Sequence, residues 1–133
     1  AALFSIRFRM VICQSVFWNA LMYLHYPHAS PPLAGETIEV APGVFWLRMP
    51  LPFQLDHINL WLLRDGAGWV IIDTGFPDDG VRASWQQLLA RLDGPVNRLI
   101  VTHFHPDHLG LASWLMEETG APLWMTSRSE ERR

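Results

Sequence analysis

Three histidines and one aspartate fall within the six residues from His103 to His108. The apolar run before them predicts a strand and the pattern after them predicts a helix, so the cluster lies where a strand ends. Residues two apart in an extended segment point the same way, which lets His103 and His105 face one point. Pro106 then bends the chain, and Asp107 and His108 project from the bend.

This donor set predicts a metal site. The spacing gives two adjacent half-sites, one with two nitrogen ligands and one with an oxygen and a nitrogen. Mixed nitrogen and oxygen ligands suit zinc, with iron or manganese as alternatives. Two such ions, roughly 3.5–4 Å apart, could hold a hydroxide between them and polarise a carbonyl or phosphoryl oxygen. Chance clustering is the competing interpretation, and the number and spacing of the residues count against it.

The segment Thr102-His103-Phe104-His105-Pro106-Asp107-His108 resembles the HxHxDH signature of the metallo-β-lactamase fold superfamily. That group includes glyoxalase II-like thioester hydrolases, lactonases, some β-lactamases, phosphodiester-cleaving nucleases and iron-dependent persulfide dioxygenases. The resemblance implies that His103 and His105 bind a first metal and that Asp107 and His108 bind a second. It also implies that Asp107 orients the attacking water. A histidine at position 108 resembles the pattern of the hydrolase-type branches, whereas some β-lactamases carry arginine at this place.

The elements around the motif predict an α+β fold with one mostly N-terminal β-sheet and flanking helices. Strands are predicted at 37–41, 44–49, 58–64, 69–73, 97–102 and 123–126, and helices at about 78–92, 109–119 and from 127 onward. The resemblance implies a metallo-β-lactamase-like αβ/βα sandwich, in which two sheets pack face to face with helices outside. It covers residues 36–133 and corresponds to the N-terminal half of that domain.

The first 34 residues differ from the rest, which predicts a poorly defined extension at 1–34 and a truncated domain at 35–133. Arg7 and Arg9 precede an apolar stretch that resembles a signal peptide. That stretch contains Gln14 and Asn19 and is shorter than a membrane span of about 20 residues. We therefore expect no membrane segment. The single cysteine excludes an internal disulfide and is compatible with a cytoplasmic location.

Two residues outside the motif are further candidates for the site. Asp73 ends a buried strand, where its carboxylate either orients a metal-bound imidazole or caps N–H groups of a local turn. The apolar loop before His57 is either a flap that contacts the substrate or an ordinary packed connection. His57 is accordingly a substrate-side candidate.

The sequence after His108 contains no further His and no Cys. The family pattern supplies two more histidines and a bridging aspartate downstream, and none of them has a match here. We therefore expect a fragment that is inactive alone and whose partner is the missing C-terminal half of the domain. Zinc, two ions in the complete protein, is the expected cofactor, with iron or manganese as alternatives.

The expected function is that of a metal-dependent hydrolase. A metal-activated hydroxide would attack the carbonyl of a small-molecule thioester, ester or lactone. The alternatives are a phosphodiesterase or an iron-dependent persulfide dioxygenase of the same fold, and an inactive half-domain that binds a partner. The net charge of −3 gives no electrostatic reason to expect a nucleic-acid partner.

Overall fold

A computed structural model describes residues 27–130. The chain divides into two units, 1–30 and 31–133, and the second contains every element named below. The stretch that resembles a signal peptide lies outside the described residues, and the boundary expected after residue 34 stays a prediction. Between residues 27 and 130, no helix is long and apolar enough to cross a membrane.

Six strands form one mixed sheet in sequence order. They are β1 (Thr37–Ala41), β2 (Val44–Pro50), β3 (His57–Asp65), β4 (Gly68–Ile72), β5 (Val96–Val101) and β6 (Leu123–Met125). The first four strands pair antiparallel, whereas β5 pairs parallel with both β4 and β6. A parallel pair requires a crossover, and helices supply both crossovers here. One sheet with flanking helices confirms the predicted α+β fold.

Four helical segments accompany the sheet: α1 (Asp79–Leu89), α2 (Pro106–Leu109), α3 (Ala112–Thr119) and α4 (Ser127–Glu130). Helix α1 begins as predicted, because the Asp78 carboxylate accepts the Gly80 N–H at 2.8 Å and caps the first turn. Its buried side chains, Val81, Trp85 and Leu88, recur at helical spacing and face the sheet.

The core lies between one face of the sheet and helices α1 and α3. Its fully buried members come from four strands and both helices, and each contributes about 1.5–3 kcal/mol through burial. The large ones are Leu47, Met49, Leu60, Leu62, Ile71, Val81, Trp85, Leu99, Val101, Leu111 and Leu115. This packing fixes where β4 and β5 end, and therefore where the histidine motif begins.

Several boundaries differ by one to three residues from those that the sequence predicts, and two of the differences lie next to the motif or to His57. Strand β2 includes Pro50, which pairs with His57 at the end of the sheet, so the irregular loop is limited to residues 51–56. The helix expected at 109–119 is divided into α2 and α3. At the break, the Leu111 N–H donates to the hydroxyl of Thr74, which lies two residues after β4, at 3.2 Å.

Candidate metal centre

The parallel pairing of β4 and β5 brings two distant parts of the chain together. Ile72 pairs with Ile100, so the residues that follow, Asp73 and Thr102, emerge at the same end of the sheet. The Asp73 N–H donates to the Ile100 carbonyl at 2.8 Å and continues the ladder past β4. We call this the site end of the sheet, comprising Asp73, Thr102 and the motif from His103 to His108.

Asp73 is a buried carboxylate at the centre of a hydrogen-bond network. The Thr102 N–H donates to Oδ1 at 2.8 Å, and the Thr102 hydroxyl lies within 3.0 Å of both carboxylate oxygens. The His108 Nδ1 lies 2.8 Å from Oδ2. Of the two interpretations of Asp73, the observed partners match the orienting one, because none of these donors belongs to a local turn. The residue has a φ of 61°, in the left-handed region.

These contacts determine which nitrogen of each imidazole carries its proton. A carboxylate accepts hydrogen bonds, so the His108 Nδ1 is the donor and its Nε2 keeps the lone pair. The Thr102 hydroxyl donates its single proton to the Asp73 carboxylate. Its oxygen therefore accepts a hydrogen bond from the His103 Nδ1 at 3.0 Å. The His103 Nε2 therefore has a lone pair as well.

Neighbouring side chains of the motif lie close to one another. The His103 Nε2 lies 3.0 Å from the His105 Nδ1, and the His103 and His108 ring centroids are 3.9 Å apart. The Asp107 Oδ2 lies 3.5 Å from the His108 Nε2. The four predicted ligands thus share one small region, and Asp73 contacts it from the core side.

The donor set fits a metal ion. Two imidazole nitrogens bound to one tetrahedral zinc are about 3.3 Å apart, and His103 Nε2 and His105 Nδ1 are separated by 3.0 Å. In this structure, the His105 Nδ1 donates a hydrogen bond to the lone pair of the His103 Nε2. Within the described residues, no three His, Cys, Asp or Glu side chains are arranged to hold an ion. The ligand assignment therefore stays a prediction, supported by one matching pair.

Electrostatics around His103 favour its neutral, metal-binding form. Desolvation by burial lowers the pKa of His103, and the neighbouring charges of His108 and His105 lower it further. The carboxylates of Asp73 and Asp107 act in the opposite direction and only partly compensate. A neutral imidazole is the form that binds metals.

A network that the sequence did not reveal holds the motif against the core. The Thr74 N–H and hydroxyl both donate to the His108 carbonyl, at 2.7 Å and 2.8 Å. The Trp85 Nε1 in turn donates to the Thr74 carbonyl at 2.8 Å. Thr74 is fully buried, so water does not compete for these hydrogen bonds. Helix α1 thereby fixes the position of the bend that carries Asp107 and His108.

His57 lies at the site end of the sheet but is not in contact with the histidine cluster. Its Nδ1 lies 2.6 Å from the Asp56 carboxylate. The preceding loop carries two exposed apolar side chains, Phe53 and Leu55. The Phe53 ring packs edge-on against Phe76, with ring centroids 5.3 Å apart. The loop is therefore anchored, and its other apolar side chain faces solvent.

Comparison with known proteins agrees with this geometry. A model of the Metallo-beta-lactamase superfamily matches residues 54–131, which contain β3 to β6 and the whole motif. The chain belongs to this superfamily. This membership confirms the predicted resemblance to the superfamily.

Several relatives share the fold and part of the sequence. The crystal structure of a beta-lactamase domain protein from Burkholderia ambifaria has 53% sequence identity and a TM-score of 0.76, covering 80% of this chain and 35% of that one. The "Beta-lactamase-like protein 2 homolog" of Caenorhabditis elegans is 26% identical over 87 residues, covering 62% and 30% of the two chains. The "Probable metallo-hydrolase YybB" of Bacillus subtilis is 32% identical over 80 residues, covering 54% and 34%. The chain thus spans about a third of the length of each of these relatives.

Proposed function

We propose that the protein carrying this chain is a metal-dependent hydrolase in which hydroxide attacks the carbonyl carbon of a thioester, an ester or a lactone and the bond to the leaving sulfur or oxygen breaks. The observation that carries the proposal is the proximity of His103, His105 and His108 at the end of a parallel strand pair, with the Asp73 carboxylate accepting a hydrogen bond from His108. Membership of the superfamily and the "metallo-hydrolase" relative support a hydrolytic activity.

The residues of this chain would have distinct roles in metal binding and in orienting the nucleophile. His103 and His105 would hold one ion through the two nitrogens that now face each other, and Asp107 and His108 would hold a second. A bound metal supplies a hydroxide near neutral pH by lowering the pKa of its water to about 7. Asp107 would orient that nucleophile. Asp73 keeps the His108 Nδ1 protonated, so that the Nε2 lone pair stays available.

The remaining ligands are expected from the part of the domain that lies beyond the matched region in the relatives. This chain covers only 30% to 35% of their length. The proposed partner of this chain is therefore the C-terminal half of the same domain. Zinc is the proposed metal, because its preferred ligands are those of the motif.

Metal analysis and an activity assay on the full-length protein test the proposal. Plasma mass spectrometry should find zinc in the wild type and a large loss in a His103→Ala, His105→Ala double variant. The wild type should hydrolyse at least one thioester, ester or lactone, and the double variant should not. Equal metal content in both proteins would overturn the ligand assignment. Stoichiometric iron in place of zinc would favour the dioxygenase alternative.

One observation favours a second candidate for the chain by itself. Within residues 27–130, no three ligand-type side chains surround a common point, and this candidate is a half-domain without activity of its own. If so, the isolated chain binds metal weakly, while the full-length protein hydrolyses substrate. A full-length protein without activity on any carbonyl substrate would instead favour a non-catalytic role.

A further inference from the structure

His57 is placed by the sheet at the same end as the histidine cluster. Strand β3 is antiparallel to β4, so the start of β3 lies beside the ends of β4 and β5. Trp61, Ile72 and Ile100 form one row across these strands. His57 lies four residues beyond this row and His103 lies three, on strands two apart. Neighbouring strands are about 4.8 Å apart, so β3 and β5, with β4 between them, are about 10 Å apart.

His57 forms a dyad with Asp56 that leaves one ring nitrogen available. Its Nδ1 donates to the Asp56 Oδ1 at 2.6 Å, and the Arg48 Nη2 lies 3.8 Å from the same oxygen. The hydrogen bond from His57 is the main cause that lowers the pKa of Asp56, with the charges of His57 and Arg48 adding to it. The His57 Nε2 has no hydrogen-bond partner among the described residues.

The dyad is held in place and is accessible. The Leu51 N–H donates to the Asp56 carbonyl at 2.9 Å and closes the loop at its base. The His57 side chain is 30% exposed, so a small molecule can reach it. The loop that precedes it exposes two apolar side chains, Phe53 at 58% and Leu55 at 62%.

We propose that His57, held by Asp56, is the general acid that protonates the leaving group of the substrate. The inference rests on the proposed hydrolase function and adds a catalytic residue to it. As the bond between the carbonyl carbon and the leaving oxygen or sulfur breaks, its electron pair stays on the leaving atom. That atom takes the proton from Nε2 of the doubly protonated His57 ring, which leaves a neutral imidazole with its proton on Nδ1, and solvent water then returns a proton to Nε2. Asp56 keeps Nδ1 protonated, so only Nε2 exchanges a proton with the substrate.

The chemistry of the leaving group makes this role specific. An alkoxide is about as basic as hydroxide, whose conjugate acid has a pKa of about 15.7, so it leaves slowly unless it is protonated. A thiolate, whose conjugate acid has a pKa of about 8.5, leaves without that help. A proton donor therefore matters for esters and lactones and matters little for thioesters.

The test compares an alkyl ester and an alkyl thioester with the same acyl group, using the metal-loaded full-length protein. In His57→Gln, kcat/KM for the ester should fall by about 100-fold or more, while kcat/KM for the thioester should change by less than about fivefold. Asp56→Asn should show the same preference with a smaller loss. Asp79→Asn, a matched exposed aspartate that pairs with Arg82 on α1, should leave both values unchanged.

The outcomes separate this inference from the proposed function. Equal losses on both substrates in His57→Gln would overturn the acid role and indicate a binding or structural one. Unchanged rates on both would also overturn it. A wild type that hydrolyses neither substrate would overturn the proposed function itself, and the acid role with it. Metal content and thermal unfolding of each variant should match the wild type, because His57 lies outside the motif.

Discussion

The two ends of the sheet use aspartates in opposite ways. At the far end, comprising Arg64, Asp65, Trp69, Asp93 and Arg98, each carboxylate pairs with an arginine. Arg64 contacts Asp93 at 2.9 Å and Arg98 contacts Asp65 at 2.8 Å. These carboxylates are accessible to water, with 68% and 39% of their side chains exposed. At the site end, Asp73 is buried and its partners are a hydroxyl, a backbone N–H and an imidazole.

The difference shows what each end is suited to do. An arginine keeps its proton and does not bind a metal, so the two ion pairs of the far end offer neither a metal ligand nor a group that exchanges protons. An imidazole keeps a second nitrogen that can bind a cation or exchange a proton. Asp73 and the dyad partner Asp56 each hold one nitrogen of a histidine and leave the other free for chemistry. The far end contains no such pair among the described residues.

Asp73→Asn, at the site end, should have the largest effect of these variants, and the effect should be on metal affinity. An amide offers one acceptor and brings its own donors against the Thr102 N–H or the His108 Nδ1–H, so one bond is lost. Loss of such a supporting bond lowers metal affinity by about 10- to 100-fold. Competition with a chelator on the full-length protein measures this change.

The matched variant at the far end is Asp65→Asn, which removes the charge that pairs with Arg98. It should leave the metal affinity unchanged, because its carboxylate has no contact with the motif. A comparable loss of metal affinity in both variants would mean that net charge, and not the Asp73 network, controls binding.

Thr74→Val should have an intermediate effect, on stability. Valine has the same shape but cannot accept the Leu111 N–H, which then stays buried without a partner. Such a group costs about 1–3 kcal/mol of the free energy of unfolding, which urea titration measures. Ser84→Ala removes an exposed hydroxyl that donates to the Gly80 carbonyl within α1 and should change stability by less than about 0.5 kcal/mol. An equal cost for both would contradict the proposed importance of the Thr74 network.

Asp93→Asn should have the smallest effect, and its pH dependence should follow from the arginine pair. The hydrogen bond from Arg64 lowers the pKa of Asp93 below its ordinary value of 3.8 in the folded protein. The stabilisation is therefore present above that ordinary value and is lost as the pH falls through the folded pKa. The wild type should melt slightly higher than the variant at pH 7, and this difference should shrink below about pH 4. A difference that grows on acidification would contradict the assignment.

The fold was largely predictable because its signals are local. The spacing of Val81, Trp85 and Leu88 indicates helix α1, and the sequence leaves its cap open between Asp78 and Asp79, of which the structure shows Asp78. Strand ends were less predictable, since whether Pro50 joins the ladder depends on its partner His57 on another strand. The break between α2 and α3 was not predictable, because the hydroxyl that accepts the Leu111 N–H there lies 37 residues earlier in the chain.

The candidate site was predictable in its residue types but not in its supporting network. Three histidines and an aspartate within six residues are a pattern that the sequence alone shows. Thr74 carries no such signal, since a threonine after a strand is common in turns. For Asp73 the sequence left two roles open, and only the pairing of β4 with β5 shows that its partners are Thr102 and His108.

The backbone of Asp73 has a consequence for engineering. Among the described residues other than glycine, it alone has a positive φ, at 61°. A side chain in that region costs about 1–2 kcal/mol, so glycine at this position would relieve the cost. The same change would erase the carboxylate that orients His108. A selection for thermal stability would therefore favour glycine at this position and would lose the carboxylate that contacts His108. At this residue, stability and activity impose opposite requirements.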